Sequence, residues 1–335
     1  MPGKPLQDLA VIELGQLIAG PFAGKMLAEF GAEVIKIEPP QGGDPLRNWR
    51  KVHDGTSLWW YVQARNKKSV TADLRMPEGQ EIVRRLARDA DVVIENFRPG
   101  TLERWGLGYE QLAAVNRGLI MLRLSGFGQS GPYRDLPGFG AIAESMGGMR
   151  YVTGFPDRPP VRLNLSIGDS LAALHGVIGV LTALHHRDAN GGAGQVVDVG
   201  LYEAVFNMME STLPEYDMYG VVRERTGSNL TGIVPSNTYL TRDDKHVVIG
   251  ANADSIFKRL MSAIGRDDLA ADPGLAGQRR AGEARRRARR RDRRMGRISR
   301  RRPRAEGACE STGSGAARST ASPTSCAIRS TSPAG

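Results

Sequence analysis

Cysteine is almost absent from this sequence: there are two in 335 residues, Cys309 and Cys326, both close to the C-terminal end. So few cysteines support neither a disulfide framework nor a thiolate metal site. No apolar run approaches the ~18 residues of a membrane-spanning helix, and the first residues lack the long apolar segment of a secretory signal. These absences predict a cytoplasmic protein with no membrane partner.

Several catalytic motifs are missing as well. The loop of residues 15–20 is not the G-x-G-x-x-G fingerprint of nicotinamide enzymes, and the glycine-rich turn 125–128 lacks the Lys-Ser/Thr of a P-loop. The five histidines are His53, His175, His185, His186 and His246. None of them lies in an H-E-x-x-H pattern, and none accompanies a serine or cysteine nucleophile motif. Hydrolases, kinases and metalloenzymes are therefore disfavoured, and we expect no metal site and no permanently bound cofactor.

Charge is distributed unevenly along the chain. The formal net charge is +10, but residues 271–335 hold 17 arginines against five acidic residues, whereas residues 1–270 hold 29 basic and 31 acidic residues. The basic character thus belongs to the tail, and the body is near neutral. We expect no nucleic-acid partner for the body, because a binding surface for nucleic acid is usually strongly basic.

The tail also lacks the residues of a packed core. After Leu275 there is no Leu, Val, Phe, Tyr, Trp, Lys or Asn. Such a composition buries too little apolar surface to offset chain entropy, and it is what GC-rich DNA encodes when translated out of frame. The alternative, a basic RNA-binding arm, lacks the aromatic residues that stack on bases. We therefore predict that residues 276–335 are a non-native, disordered tail.

The body alternates between short apolar segments and amphipathic ones, which predicts an α/β protein with a Rossmann-like parallel sheet. Predicted strands cover residues 9–14, 32–37, 69–74, 91–95, 119–124 and 195–199, and predicted helices cover 21–30, 77–89, 109–115 and 201–215. A predicted hairpin at 235–249 and a helix at 254–265 indicate a smaller α+β domain. The predicted boundaries are 1–222 for the large domain and 223–275 for the start of the small one.

One apolar segment, residues 171–187, predicts a helix buried on nearly all sides. Asp169 or Ser170 directly precedes it and would be its N-cap. A carboxylate at that position has two possible roles. It is either a cap alone, or a nucleophile that the helix dipole keeps ionised and that Gly168 leaves open to a ligand.

Short segments along residues 5–270 resemble the class III CoA-transferases, the CaiB/BaiF family that includes formyl-CoA and carnitine CoA-transferases. The segments are 19–21 (AGP), 34–39 (VIKIEP), 42–44 (GGD), 65–69 (RNKKS), 91–100 (DVVIENFRPG), 124–132 (LSGFGQSGP), 168–170 (GDS), 194–199 (GQVVDV) and 235–238 (PSNT). By this resemblance the fold has a Rossmann-like large domain with a smaller α+β domain, and the native enzyme is a homodimer of interlocked rings.

The resemblance also implies a function: transfer of CoA from a donor acyl-CoA to an acceptor carboxylic acid. In the family, the aspartate that matches Asp169 forms an aspartyl-acyl anhydride and then an aspartyl-CoA thioester. The donor by resemblance is a dicarboxylate thioester such as succinyl-CoA. The positions that match the family's CoA contacts are Ile18, Ala19, Ala72, Arg75, Asn96, Phe97, Arg98, Arg104 and Phe139.

Some positions depart from the family pattern. Pro39 and Phe139 stand where formyl-CoA transferase has arginine and tyrosine, so formyl-CoA:oxalate exchange is not expected. The nearest match to its glycine loop is residues 227–232. A racemase branch of the family uses a His-Asp pair where this sequence has Phe139-Gly140, and phenylalanine cannot act as a base. A racemase and an inactive CoA-binding product are the alternatives.

The family's C-terminal segment is replaced here. Relatives continue with a stretch like I-Y-S-V-A-D-I-V. Codons that can encode residues 318–333 of this chain also encode that stretch when the reading frame is shifted forward by two bases. We therefore expect a frameshift shortly after Leu275. In the family the returning segment closes each ring, so the homodimer is expected only where the C-terminus is intact.

Overall fold

The computed structural model describes residues 3–233, 235–275 and 317–318. The chain forms two compact units: unit 1 comprises Met1–Thr153 and Pro160–Arg223, and unit 2 comprises Gly154–Pro159 and Glu224–Gly335. Most of the predicted tail therefore lies outside the described residues, as does the predicted frameshift.

Unit 1 is built on a six-stranded sheet in which all neighbouring strands are parallel. Its strands are β1 (Ala10–Glu13), β2 (Glu33–Glu38), β5 (Lys67–Thr71), β6 (Val92–Glu95), β7 (Ile120–Ser125) and β8 (Val196–Gly200). Their order is β5-β2-β1-β6-β7-β8, the doubly wound arrangement in which the strand order reverses beside β1. This confirms the predicted Rossmann-like fold. Two further strands, β3 (Val52–His53) and β4 (Thr56–Ser57), form a separate short ladder.

Helices cover both faces of this sheet. The helices of unit 1 are α1 (Ala19–Glu29), α2 (Leu58–Gln63), α3 (Pro77–Ala87), α4 (Thr101–Arg104), α5 (Tyr109–Ala113), α6 (Gly140–Met146), α7 (Met149–Val152), α8 (Ile167–Ala189), α9 (Leu201–Phe206) and α10 (Thr212–Tyr219). One core cluster joins the sheet to α1 and α8, and a second joins the opposite face to α3. Because both faces are covered, β6 and β7 are buried along their whole length.

The start of α8 differs from the prediction. Its N-cap is Ser166, and Asp169 is already the third helical residue. Ser170 cannot be the cap, because its backbone N–H donates to the Ser166 carbonyl at 3.2 Å, as within a helical turn. The Ser166 side chain forms no cap hydrogen bond, and Asp169 lies three residues beyond the N-cap position, so the interpretation of Asp169 as the N-cap is wrong.

The prediction that α8 is buried on nearly all sides is also wrong. Its small residues, among them Ala172, Ala173 and Gly176, face the sheet, whereas Ile178 is 64% exposed. Leu174 and Leu181 are exposed beside it. The apolar composition hid this asymmetry, because small and large apolar residues look alike in a pattern that scores only hydrophobicity.

Most element ends differ from the prediction by one or two residues, and two further elements differ more. β5 covers Lys67–Thr71 rather than 69–74, because it pairs with β2 only as far as Glu38↔Thr71, where β2 ends. The predicted helix 201–215 is broken into α9 and α10. Glu210 lies between them with a φ of 53°, a left-handed conformation that no continuous α-helix contains.

Unit 2 contains an antiparallel sheet with two helices. β9 (Ser236–Leu240) pairs with β10 (His246–Gly250), and β10 pairs with the two-residue strand β11 (Ala317–Arg318). The helices are α11 (Asp254–Ala263) and α12 (Asp267–Ala270), and 3₁₀ turns occur at Pro45–Asn48 in unit 1 and Pro273–Leu275 in unit 2. The predicted hairpin and helix are therefore present. Their small core includes Ile249, Leu260 and Met261.

Within the described residues one helix, α8, is long and apolar enough to span a membrane by length and composition. Half of its apolar window is buried inside the protein. The core helix of a globular protein meets the same criteria, so this feature carries no argument for a membrane.

Candidate active site

The carboxyl edge of the parallel sheet gathers most of the residues singled out in the sequence. Loops that follow β1, β5 and β6 contain Ile18, Ala72 and Asn96. α8 begins toward the same edge, because Arg187 near its other end pairs with Asp91, which directly precedes β6. Ligands of open α/β sheets bind at this edge, next to the position where the strand order reverses.

Asp169 lies in the first turn of α8, partly buried against α6. A Cβ atom on Gly140 would overlap Asp169 Oδ2. The absence of a side chain at Gly140 is therefore what makes room for the carboxylate. Phe139, the N-cap of α6, lies directly next to Gly140 in the chain and is 67% exposed.

A second carboxylate supports the start of α8. Glu144 is only 1% exposed, and its Oε1 accepts a hydrogen bond from the Gly168 backbone N–H at 3.5 Å. Its Oε2 lies 3.3 Å from Nε of Arg150 and 3.3 Å from Nε of Arg162. In the described part of the chain Asp169 forms no direct ion pair; the two arginines pair with Glu144, and Arg162 acts on Asp169 only from a longer distance.

These surroundings set the ionisation of Asp169. Burial, and to a lesser degree the negative charge of Glu144, raise the pKa of Asp169 from 3.8 to about 6, although Arg162 acts to lower it. At pH 7 a group with this pKa is still about nine-tenths ionised. The carboxylate is therefore charged and more basic than an ordinary aspartate.

Ile18 and Ala19 lie where the loop after β1 enters α1. Ile18 is the N-cap residue of α1, no side chain caps this end, and no acidic residue lies in the first turn. Asn96, directly after β6, holds Gln16 of this loop through two hydrogen bonds. Asn96 Oδ1 accepts from Gln16 N at 2.7 Å, and Asn96 Nδ2 donates to Gln16 O at 2.8 Å. The structure thus brings Ile18, Ala19 and Asn96 together at one loop.

The turn after β6 is braced by an ion cluster that the sequence did not reveal. Glu95 Oε2 accepts a hydrogen bond from Phe97 N at 2.7 Å, and Glu95 Oε1 accepts one from Arg123 Nε at 2.7 Å. Arg123 also reaches Glu103 at 2.7 Å. Burial raises the pKa of Glu95 to about 7, although Arg123 lowers it. Arg123 therefore links β6, β7 and α4.

The remaining predicted CoA contacts are more exposed. Arg98 is exposed, and Phe97 packs edge-on against Trp105 with ring centroids 5.4 Å apart. Arg104 in α4 is exposed and donates to Thr101 Oγ1 at 3.1 Å.

Ala72 and Arg75 follow β5. Ala72 is buried, and its backbone N–H donates to Glu38 O at 2.9 Å. Arg75 is exposed and forms two hydrogen bonds with Asp73, at 2.9 and 2.8 Å. Arg75 is thus already paired with a carboxylate, so it is not the free cation that an anion site at this point would need.

The residues missed by sequence reasoning are buried charged side chains. Glu144, Glu95 and Arg123 had a signal in the sequence, since each is a charged residue inside an otherwise apolar segment. Such residues are almost always paired when they are buried. What the sequence could not give was their partners. No cluster of His, Cys, Asp and Glu among the residues that the structure describes is arranged to hold a metal ion.

A doubly wound sheet with a partly buried carboxylate at its carboxyl edge is typical of α/β proteins that bind a ligand at that edge. The sequence profile of CoA-transferase family III matches residues 6–319. The chain belongs to this family.

Relatives and solved structures agree with that assignment. The chain is 59% identical over 283 residues to the succinyl-CoA–D-citramalate CoA-transferase of Chloroflexus aurantiacus, and 47% identical over 280 residues to the alpha subunit of that organism's succinyl-CoA–L-malate CoA-transferase. These matches cover 84% and 82% of this chain but only 70% and 65% of the relatives, so the chain spans about two thirds of their length. A CaiB/BaiF family protein from Brucella suis has a TM-score of 0.79 at 34% identity, covering 95% of this chain and 84% of that one.

Proposed function

We propose that the protein moves CoA from a donor acyl-CoA to an acceptor carboxylic acid, with Asp169 as the nucleophile. The observation that carries this proposal is the environment of Asp169: a partly buried carboxylate, with a pKa raised to about 6, that lies against a glycine and has no cation of its own among the described residues. A carboxylate held in this way is less stabilised than one in an ion pair, so it is better able to attack a carbonyl carbon.

The proposed reaction has two symmetric halves. One Asp169 oxygen attacks the thioester carbonyl of the donor. The C–S bond breaks, the CoA thiolate departs, and an aspartyl-acyl anhydride forms on Asp169. The thiolate then attacks the aspartyl carbonyl, which releases the donor acid as a carboxylate and leaves Asp169 as a CoA thioester. The acceptor carboxylate attacks that thioester to give a second anhydride and free thiolate. Attack of the thiolate on the acceptor's carbonyl yields the new acyl-CoA and restores the Asp169 carboxylate.

Nearby groups support these steps. Asp169 lies in the first turn of α8, so the positive end of the helix dipole can stabilise the negative oxygen of each tetrahedral intermediate. At the same sheet edge, Ile18 and Ala19 lie in the loop that Asn96 holds, and this loop is suited to bind CoA. Ala72, Phe97, Arg98 and Arg104 lie in the segments that follow β5 and β6. Arg75 is paired with Asp73, so it is less suited to bind the negatively charged groups of CoA.

For the substrates, we propose succinyl-CoA as donor and a hydroxylated dicarboxylate as acceptor. The two similar enzymes of Chloroflexus aurantiacus are named for D-citramalate and L-malate. We further propose that the protein is cytoplasmic and that chains with an intact family C-terminus form homodimers. CoA is a substrate in this proposal, not a permanently bound cofactor.

CoA exchange between succinyl-CoA and a panel of acids, followed by mass spectrometry of the products, tests the proposal. We expect citramalyl-CoA or malyl-CoA to form faster than the CoA esters of monocarboxylic acids. Asp169→Asn should reduce transfer by at least about a thousandfold, because an amide cannot form the anhydride. Asp217→Asn, a change at an exposed aspartate of α10, should leave transfer unchanged. Normal transfer by Asp169→Asn would refute the nucleophile.

The alternatives give different outcomes in the same assay. A racemase would exchange the α-proton of an acyl-CoA in deuterated water without moving CoA between acids. Phe139 and Gly140 offer no basic side chain for that reaction. An inactive product would bind CoA but form no new thioester with any acid.

A further inference from the structure

Three of the segments that resemble the family contain charged residues with no part in the proposed chemistry. They are 34–39, 42–44 and 65–69, and they contribute Lys36, Asp44 and Lys67. In the structure these three residues join Glu13 of β1 in one buried network beside the loop of residues 15–21, which leads from β1 into the first turn of α1.

Lys36 lies at the centre of this network. Its Nζ atom is 2.9 Å from Glu13 Oε1 and 2.9 Å from Asp44 Oδ2, and all three side chains are at most 1% exposed. The same Nζ donates to the Gly15 carbonyl at 2.7 Å. Burial alone would lower the pKa of Lys36, but Glu13 and Asp44 raise it overall, so the lysine stays charged.

Lys67 holds the other end of the loop. Its side chain is 2% exposed, and its Nζ lies 2.6 Å from Glu13 Oε2. It also donates to the Pro21 carbonyl at 2.7 Å. The two lysines therefore share one glutamate, and each of them fixes a backbone carbonyl, one before and one after Ile18 and Ala19.

Asp44 fixes the middle of the loop. Its Oδ1 and Oδ2 atoms accept from Leu17 N at 3.1 and 3.2 Å. Leu17 has a φ of 63°, a left-handed conformation that costs a non-glycine residue on the order of 1–2 kcal/mol. Without Asp44 nothing in this network would compensate that strain, so the loop would relax toward other conformations.

Stability alone does not account for such a network. Buried ion pairs often contribute no more than packed apolar side chains would, because charges are costly to remove from water. Here the lysines and Asp44 reach backbone atoms of residues 15, 17 and 21, which an apolar side chain could not hold. We propose that Glu13, Lys36, Asp44 and Lys67 are positioning residues that preset the loop of residues 15–21 for binding CoA.

This inference rests on the proposed function, and β5 provides a matched pair of variants to test it. Lys67 is buried in the network, whereas its neighbour Lys68 is exposed and pairs with Glu33 at 2.6 Å. We expect Lys67→Met to raise the Kd for CoA and the KM for succinyl-CoA about tenfold, with kcat within about twofold of the wild type. Lys68→Met should change neither constant.

Because Lys67→Met leaves Glu13 with a single cation, it could fail to fold. The double variant Glu13→Gln/Lys67→Met removes one charge of each sign and so keeps the network neutral. It also removes the tether to Pro21, and we expect the same tenfold increase in the Kd for CoA. Titration calorimetry gives the Kd, and the cooperativity of thermal unfolding shows whether each variant is folded.

Hydrogen exchange of the wild-type peptide that covers residues 14–22 provides a test that needs no variant. A preset loop exchanges slowly before CoA is added and changes little afterwards. Fast exchange that slows only with CoA would overturn the inference, as would a folded double variant with the wild-type Kd. A wild-type chain that binds no CoA would overturn the proposed function and this inference together, whereas unchanged variants beside a binding wild type overturn only the inference.

Discussion

Two of the buried charge groups at the carboxyl edge of the unit 1 sheet differ in how their carboxylates are paired. In the loop network, Glu13 and Asp44 each contact a lysine, and neighbouring Glu38 contacts Arg47 at 2.8 Å. In the α8 group, two arginines pair with Glu144, and Asp169 has no such partner among the described residues.

The difference shows in the direction of the pKa shifts. Burial alone would raise the pKa of Glu13, but Lys67 and Lys36 lower it overall. For Asp169, burial and Glu144 together raise the pKa to about 6. We propose that the paired carboxylates of the loop network fix the backbone and that the carboxylate without an ion pair is the reactive one.

The largest expected effect comes from breaking the paired group at its centre. Lys36→Met leaves Glu13 and Asp44 each short of a partner, and removal of one member of a buried ion pair typically costs about 3–5 kcal/mol. We expect a loss of that size in the free energy of unfolding, measured by urea denaturation. Lys68→Met on the exposed side of β5 should stay within about 0.5 kcal/mol of the wild type. A Lys36 variant as stable as the Lys68 control would show that the network is not coupled to the fold.

A smaller effect of the opposite sign is expected at Asp169. Its folded-state pKa of about 6 lies above the unfolded value of 3.8, so the folded protein binds the proton more tightly and loses stability as the pH rises through this range. Asparagine does not titrate. Asp169→Asn should therefore be about 1–3 kcal/mol more stable than the wild type above pH 6, and this advantage should disappear below about pH 4. Denaturation at several pH values measures it, with Asp217→Asn as control.

The smallest expected effect comes from Glu144, the buried neighbour of Asp169. Glu144→Gln keeps an oxygen for Gly168 N but removes the charge that raises the pKa of Asp169. We expect the acid limb of the pH profile of kcat/KM to move to lower pH. Glu110→Gln, at an exposed position of α5, should leave the profile in place. A profile that does not move in Glu144→Gln would mean that Glu144 supports α8 only structurally.

The central strands were predictable because each is a short apolar segment between turn residues. The segments around 10–13, 33–38, 92–95 and 120–125 could hardly fold otherwise, and in sequence they alternate with helices as a parallel sheet requires. Element ends were less predictable. β5 ends where its partner β2 ends, because strand pairing outweighs local preference, and α8 begins two residues before Asp169, the carboxylate that suggested a cap.

The candidate site was predictable only in part. Asp169 and Asn96 came from resemblance, and the structure supplies the contacts around them. The sequence could not indicate that Lys36, Asp44 and Lys67 converge below one loop, because their pairing depends on the strand order β5-β2-β1. It also could not reveal that burial raises the pKa of Asp169, since that burial depends on residues of another helix, among them Gly140.

One measurement tests the nucleophilic role of Asp169 most directly. The protein is incubated with succinyl-CoA alone, treated with hydroxylamine, digested and analysed by mass spectrometry. We expect the peptide that contains Asp169 to carry a hydroxamate at that residue, since hydroxylamine attacks the aspartyl anhydride and the aspartyl-CoA thioester. The label should be absent without succinyl-CoA and absent in Asp169→Asn. CoA transfer by the wild type with no hydroxamate at Asp169, or with one at another carboxylate, would contradict the proposed mechanism.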